Sequence, residues 1–380
     1  MTAECIIKVN TPAELIAAVP YLLGFHPADS VAVVAMRDKK IIFAARYDLP
    51  GQELPDDVAR ADAAEVAAVV ASQGVTGATV IGWGEPAGVT PTVLRVAEAL
   101  SRAGVPILDQ LRVTDGRYWS YICTDPGCCP LDGRPCLPAD SVIAASATYS
   151  GAVALPDRGA LVAQIAPAQG AEQESMAAAT AQAQSRLSEL YDRESHEAGF
   201  VRQVRRAGRA AVREAERRYR SGRRLTDDEV AWLGVLLVHI PVRDYAWERT
   251  AGSQWWVALW TDVLRRVEPI YVPGPACLLS FAAWRAGHGA LARAAVDRAF
   301  AQEPLYEMAS LLGDLLQLGV HPQAVAKWPE VAPLGRPIPD TPADVPPWRV
   351  EVPRAGRAVV DERLGRVQRR QKRYGRRRAV

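Results

Sequence analysis

The chain has 380 residues, of which 49% are hydrophobic and 23% charged, and it carries a formal net charge of +2. That length exceeds one ordinary core and predicts two or three domains, while the near balance of charge supplies no global field aimed at nucleic acid. No run of about 18 apolar residues argues for a membrane span, and the start at Met1 carries no basic-then-apolar leader. A cytoplasmic protein without a membrane partner is expected.

Ile6, Ile7 and Val9 read as a short strand, closed by Asn10 and Thr11 ahead of a helix over 12–18 that opens on Pro12. Val19, Leu22, Leu23 and Phe25 then crowd around Pro20, Gly24 and Pro27. This is an apolar corner in which proline fixes φ and glycine tolerates angles that other residues resist. It presents His26, Asp29 and Ser30 where an apolar strand begins. Strands over 31–36 and 41–47, with four polar residues between them, read as a hairpin.

Val58, Ala61, Val66, Val69 and Val70 fall at helical spacing up to Gly74. A strand over 78–81 follows, then a helix capped by Thr90 with Pro91 at its first position and ended by Gly104. Strands are expected over 105–108 and 111–113, the latter pairing with 118–123 across Asp115 and Gly116. Strands and helices alternate with two hairpins interposed, which predicts an α/β fold: a mixed sheet with helices on its faces.

Beyond residue 150 the composition turns to Ala, Gln, Glu and Arg. Basic residues dominate up to Arg224, beginning at Arg202, Arg205 and Arg206; a solvated helical face or an anionic partner accounts for them. Thr226 and Glu229 form a capping box, and Trp256, Leu259, Trp260, Val263, Leu264 and Val267 make a helical stripe. Six of the ten tryptophans lie between Trp232 and Trp284, a density that speaks for core. Residues 273–304 read as a helical hairpin broken at Gly287, His288 and Gly289, resembling one tetratricopeptide unit where about three make a solenoid. The expected domains are thus 1–150 (α/β, with a Cys-rich loop 123–136), 151–225 (charged helical segment), 226–325 (all-α, with the tetratricopeptide-like hairpin) and 326–380 (Pro-rich linker and basic tail).

The segments PYLLGFHPADS at 20–30, ARYDLP at 45–50, GRYWSYIC at 116–123, CCPLDG at 128–133 and VRD at 242–244 together resemble the actinobacterial domain-of-unknown-function family 4192, over roughly residues 5–318. The resemblance implies a bacterial cytosolic protein with an N-terminal α/β part and a helical C-terminal part. It supplies no catalytic residue.

Three constellations carry chemistry. Cys123, Cys128, Cys129 and Cys136 cluster in a loop rich in Pro and Gly. The first spacing fits a zinc knuckle, but adjacent cysteines rarely share one tetrahedral ion and no C-x-x-C is present, so a zinc site, a redox-sensitive thiol pair and plain packed thiols stay open.

His26, Asp29 and Ser30 hold the residue types of a nucleophile triad, though neighbours this close seldom reach its geometry, and a hydrogen-bonding role in the corner is expected. His26, Ser30, Arg46, Asp48 and Arg117 line an anion or ligand pocket if they converge on one sheet edge; otherwise Arg46 with Asp48, like Arg243 with Asp244, is an ion pair holding elements together. Gly82, Gly84 and Gly88 follow a strand as phosphate loops do, but no Lys follows and Glu85 opposes a phosphate.

The third constellation is the C-terminal run of Arg369, Arg370, Lys372, Arg373, Arg376, Arg377 and Arg378, which suits an acidic protein partner or nucleic acid. The function expected is that of a cytosolic, non-enzymatic binding or adaptor protein with a protein partner. The rivals are an enzyme or small-ligand sensor with its pocket at 24–30, and a nucleic-acid-associated protein acting through the tail.

Overall fold

The computed structural model describes residues 8–38, 40–49, 55–194 and 196–322. The strand expected at Ile6 and Ile7, the Pro-rich segment and the basic tail lie outside the described residues. Val9 lies in irregular backbone.

Helix α1 (Pro12–Leu23) starts on a capping box in which Thr11 and Glu14 satisfy each other's backbone N–H. It runs five residues beyond the expected 12–18, straight through Pro20. Leu15, Ile16, Val19 and Leu23 bury one face there, and the apolar packing outweighs the one hydrogen bond that Pro20 cannot make. The chain therefore turns out of α1 at Gly24, left-handed at φ 83°, which caps α1 with its N–H on Pro20 O at 2.8 Å.

Strands β1 (Ser30–Arg37) and β2 (Lys40–Asp48) form the expected hairpin, with Arg37 paired to Lys40, so the connection is tighter than the four polar residues predicted. Helix α2 (Asp56–Ser72), strand β3 (Gly77–Trp83), helix α3 (Pro86–Arg102) and strand β4 (Ile107–Thr114) follow. Helix α3 begins at Pro86, four residues before the expected cap at Thr90. Its first turn already buries Val89, and Thr90 instead shares a hydrogen bond of 2.6 Å with Tyr121 Oη. The two strands expected over 105–113 are one, and Asp115 and Gly116, both at positive φ, turn it into β5 (Arg117–Ser120). A two-residue β6 (Arg134–Pro135) pairs with β5.

The six strands form one mixed sheet in the order β2-β1-β3-β4-β5-β6. Only β3 and β4 are parallel, joined by the α3 crossover. Strand β1 is buried on both faces: Val31, Val33 and Ala35 pack with α2 and α3, while Ala32 and Val34 join a second core that continues through α1 into the helical region.

That region comprises α4 (Val142–Tyr149), α5 (Arg158–Ala163), α6 (Ala171–Asp192), α7 (Glu197–Arg220), α8 (Asp227–Leu237), α9 (Ile240–Arg249), α10 (Gln254–Arg266), α11 (Pro273–Arg285), α12 (Gly289–Gln302) and α13 (Glu307–Gln317). The capping box at Thr226 and Glu229 is present. Trp256, Trp260 and Phe281 are among its largest fully buried side chains, as the tryptophan stripe predicted. Helices α11 and α12 form the expected hairpin about Gly287 at φ 84°, and α13 packs on both.

Candidate functional site

Three thiols meet on the loop that leaves β5. Ser120 Oγ donates to Asp109 Oδ1 at 2.7 Å and accepts the backbone N–H of Ile122 and Cys123 at 3.2 and 3.1 Å, which sets the exit of the chain. Asp125 then closes a tight turn: its carbonyl accepts Cys128 N–H and Cys129 N–H at 3.1 and 2.6 Å, and its carboxylate accepts Gly127 N–H at 2.8 Å. As a result the Sγ atoms of Cys123, Cys128 and Cys129 all lie within 4.8 Å of one another.

Side chains from the sheet clamp the rest of the loop through its carbonyls. Arg117 donates to Asp132 O and Gly133 O at 2.5 and 2.8 Å, Trp119 Nε1 to Leu131 O at 2.9 Å, and Arg134 to Cys128 O and Gly127 O. Gly133 is required where it stands. Its φ is +70°, and a Cβ would come within 2.5 Å of the Trp119 ring, which itself lies under Arg112 at 4.0 Å.

The thiols are not equivalent. The Asp125 backbone N–H, together with the Cys129 and Cys128 thiols, donates to Cys123 and lowers its pKa. Burial, and hydrogen bonding to Cys123, push Cys129 up to about 11. One thiol is thus shifted toward the thiolate beside another shifted toward the protonated form. Tetrahedral zinc with sulfur at about 2.3 Å needs thiolates roughly 3.8 Å apart, so side-chain rotation that closes each separation by at most about 1 Å brings the three onto an ion. Cys136 does not join them; its N–H is held by Gly116 O at 2.8 Å and burial raises its thiol.

The pocket expected at residues 24–30 is divided. Arg46 pairs with Asp48 at 2.8 Å, reaches Ala28 O at 3.5 Å and covers the Phe25 ring at 5.7 Å, so these residues do come together. Arg117 does not join them: it stands four strands away, about 19 Å at ordinary strand spacing, engaged with the cysteine loop. Ser30 is wholly buried, opposite Asp48 and Trp83 in the sheet, while His26 is exposed and donates its N–H to Leu155 O at 2.9 Å.

Of the three glycines, Gly82 lies within β3 and Gly84 just after it, and both serve close packing. A Cβ on Gly82 would meet Val89 at 2.0 Å, one on Gly84 would meet Asp29 Oδ1 at 2.9 Å, and Gly88 lies inside α3. Arg243 does pair with Asp244 at 2.8 Å and also donates to Tyr306 Oη at 3.1 Å, but Asp244 is half-exposed. The C-terminal cations from Arg369 to Arg378 lie outside the described residues.

Sequence reasoning missed a buried ionic network. Asp262 on α10, 6% exposed, accepts the Tyr219 hydroxyl, Arg224 and, at 2.9 Å, Arg266. Arg266 continues to Asp227 and to Leu225 O at 3.0 Å. Burial raises the Tyr219 phenol, and Ser175 and Arg266 hold Asp227 below the usual carboxylate range. The signal was available: Asp262 and Arg266 stand four apart inside the apolar stripe of α10.

No curated protein and no solved structure matches the chain. The family model described as "Domain of unknown function (DUF4192)" matches residues 12–323, which takes in the sheet, the cysteine loop and all thirteen helices above. The chain belongs to the DUF4192 family.

Proposed function

We propose that the chain is a cytosolic binding protein whose loop 123–129 takes a thiophilic metal ion, zinc first among them, through Cys123, Cys128 and Cys129. The observation that carries this reading is the grouping of three thiols within 4.8 Å. Thiolates select zinc and cuprous copper over hard cations, and a reducing compartment keeps them free. Three protein ligands leave the fourth position of a zinc ion open. In an adaptor, a side chain of a protein partner fills it, and Cys128, the most exposed of the three, stands on the partner's side.

The test is native mass spectrometry of protein purified gently from its own host, against the denatured mass. One bound zinc ion is expected, lost on Cys123→Ser or Cys128→Ser and kept on Cys136→Ser, with a co-purifying partner lost alongside it. A metal-free mass in the wild type, or zinc retained by Cys123→Ser, overturns the reading. A second reading rests on the unequal thiols: Cys123 and Cys129 form a disulfide under oxidant. It predicts a mass lower by two hydrogens, recovered with reductant, in place of the ion.

A further inference from the structure

Helix α7 turns Val204, Gly208, Val212, Ala215 and Tyr219 into the core. On its other side Arg202, Arg206, Arg209, Arg213, Arg217 and Arg220 recur at steps of four, three, four, four and three residues, and all six are exposed. Such steps keep side chains on one stripe, and at 1.5 Å per residue it runs about 27 Å. Neighbouring like charges at these spacings destabilise a helix by themselves, and the sequence repeats them five times in succession.

The stripe is only partly neutralised. Arg217 pairs with Glu214 and Arg220 with Glu216 at 3.4 Å, and Arg209 lies over Tyr245 at 5.4 Å. Arg202, Arg206 and Arg213 have no acidic partner among the described residues. At its C-terminal end the stripe opens into a shallow concavity of about 510 Å³ lined in part by Arg223, Arg224 and Arg265. Of these, Arg224 is answered by Asp262.

We propose that the α7 stripe is a contact surface for duplex DNA, binding the phosphate backbone without reading bases. A straight line of guanidinium groups about 4.5–6 Å apart along the helix axis complements a regular line of phosphates. No large apolar residue stands on the stripe to anchor a protein partner, as interface centres require. Nor does it present the open aromatic platform that single strands stack on, since Trp255 beside its end is covered by Trp256 at 4.3 Å and Arg220 at 5.3 Å.

The test is fluorescence anisotropy of the full chain with a mixed-sequence duplex of about 30 bp, titrated from 50 to 200 mM salt. The triple variant Arg202→Gln, Arg206→Gln, Arg213→Gln removes three backbone contacts. Its log–log salt slope is expected to fall by about 2.7, so that the loss of affinity across that salt range shrinks by about 40-fold. The corresponding Arg→Lys triple keeps the charge and the wild-type slope. An unchanged slope in the Gln triple, as when the C-terminal cations do all the binding, overturns the proposal. So does polyglutamate competing as well as duplex of equal charge through the same three arginines, which reassigns the stripe to an acidic protein.

Discussion

Replacing Asp262 with Asn tests whether the helical region is locked by charge or by packing alone. The carboxylate sits where α7, the α7–α8 loop and α10 meet, accepting Tyr219, Arg224 and Arg266, and Arg266 passes the connection on to Asp227 and thence to Ser175 on α6. Asn keeps the volume and an acceptor for Tyr219, but leaves the Arg266 guanidinium, 5% exposed, short of one counter-charge. Removing one member of a buried pair costs about 3–5 kcal/mol. Arg266 retains Asp227 and Leu225 O, and the Arg224 side chain, 65% exposed, returns to water cheaply, so the lower end, about 3 kcal/mol, applies.

With an unfolding entropy of about 2.1 cal/mol/K per residue over roughly 310 residues, that cost lowers Tm by about 5 °C. Thermal unfolding followed by circular dichroism reads it directly. The double variant with Arg266→Met removes the stranded charge as well and is expected to be less destabilised than the sum of the two singles by at least about 1 kcal/mol. A single variant within about 1 °C of wild type, or an additive cycle, refutes the reasoning.

Phe25→Ala, at a ring 3% exposed, should lower stability by about 3–5 kcal/mol, whereas Arg158→Ala, which breaks exposed contacts of 3.9 and 3.7 Å to Asp48 and Asp297, should cost under about 1 kcal/mol; urea midpoints separate them. Thr226→Ala removes a helix cap and should cost about 1 kcal/mol, while Thr90→Val, which leaves the start of α3 untouched, should lower Tm by less and should weaken protection of the Tyr121 backbone N–H against hydrogen exchange. Burial holds the His239 imidazole below its ordinary range, so the unfolded chain takes up the proton first. Stability contributed by neutral His239 is therefore full above about pH 6.5 and is lost as pH falls below it. His239→Gln should flatten that part of the profile of urea-unfolding free energy against pH.

The layers of the fold were legible because burial writes itself into periodicity. Unbroken apolar runs marked β1 and β2, the tryptophan stripe marked α10, and Thr226 with Glu229 marked the start of α8. What failed were local signals overruled by packing. Pro20 looked like an end to α1 and Thr90 like the beginning of α3, yet in both places apolar residues on the far side of the punctuation were already buried.

The candidate site was half legible. Four clustered cysteines were plain, but which three converge depends on the Asp125 turn, and their exclusion of Cys136 depends on its backbone bond to Gly116 in the sheet. The network at Asp262 showed in the sequence only as one charged pair, Asp262 and Arg266, inside the stripe of α10. A charged pair inside a helical stripe resembles a surface pair unless the three-dimensional partners, Tyr219 and Asp227, are known to face it.

The corner at residues 24–30 joins the sheet to the helical region, and that explains why its polar residues are arranged as they are. Gly24 O and His26 N–H bind both backbone groups of Leu155, each at 2.9 Å, so the corner holds the segment that leads into α5. Phe25 and Leu161 close the apolar side beneath it. Arg46 lies over Phe25 and answers Asp48, and Asp48 reaches through Arg158 to Asp297 on α12. Exposed ion pairs of this kind contribute under about 1 kcal/mol each, so they set the alignment of the seam while apolar burial holds it shut. Arg46 is therefore committed to orienting β2 against the helices, and a ligand that drew it away would have to loosen the seam itself.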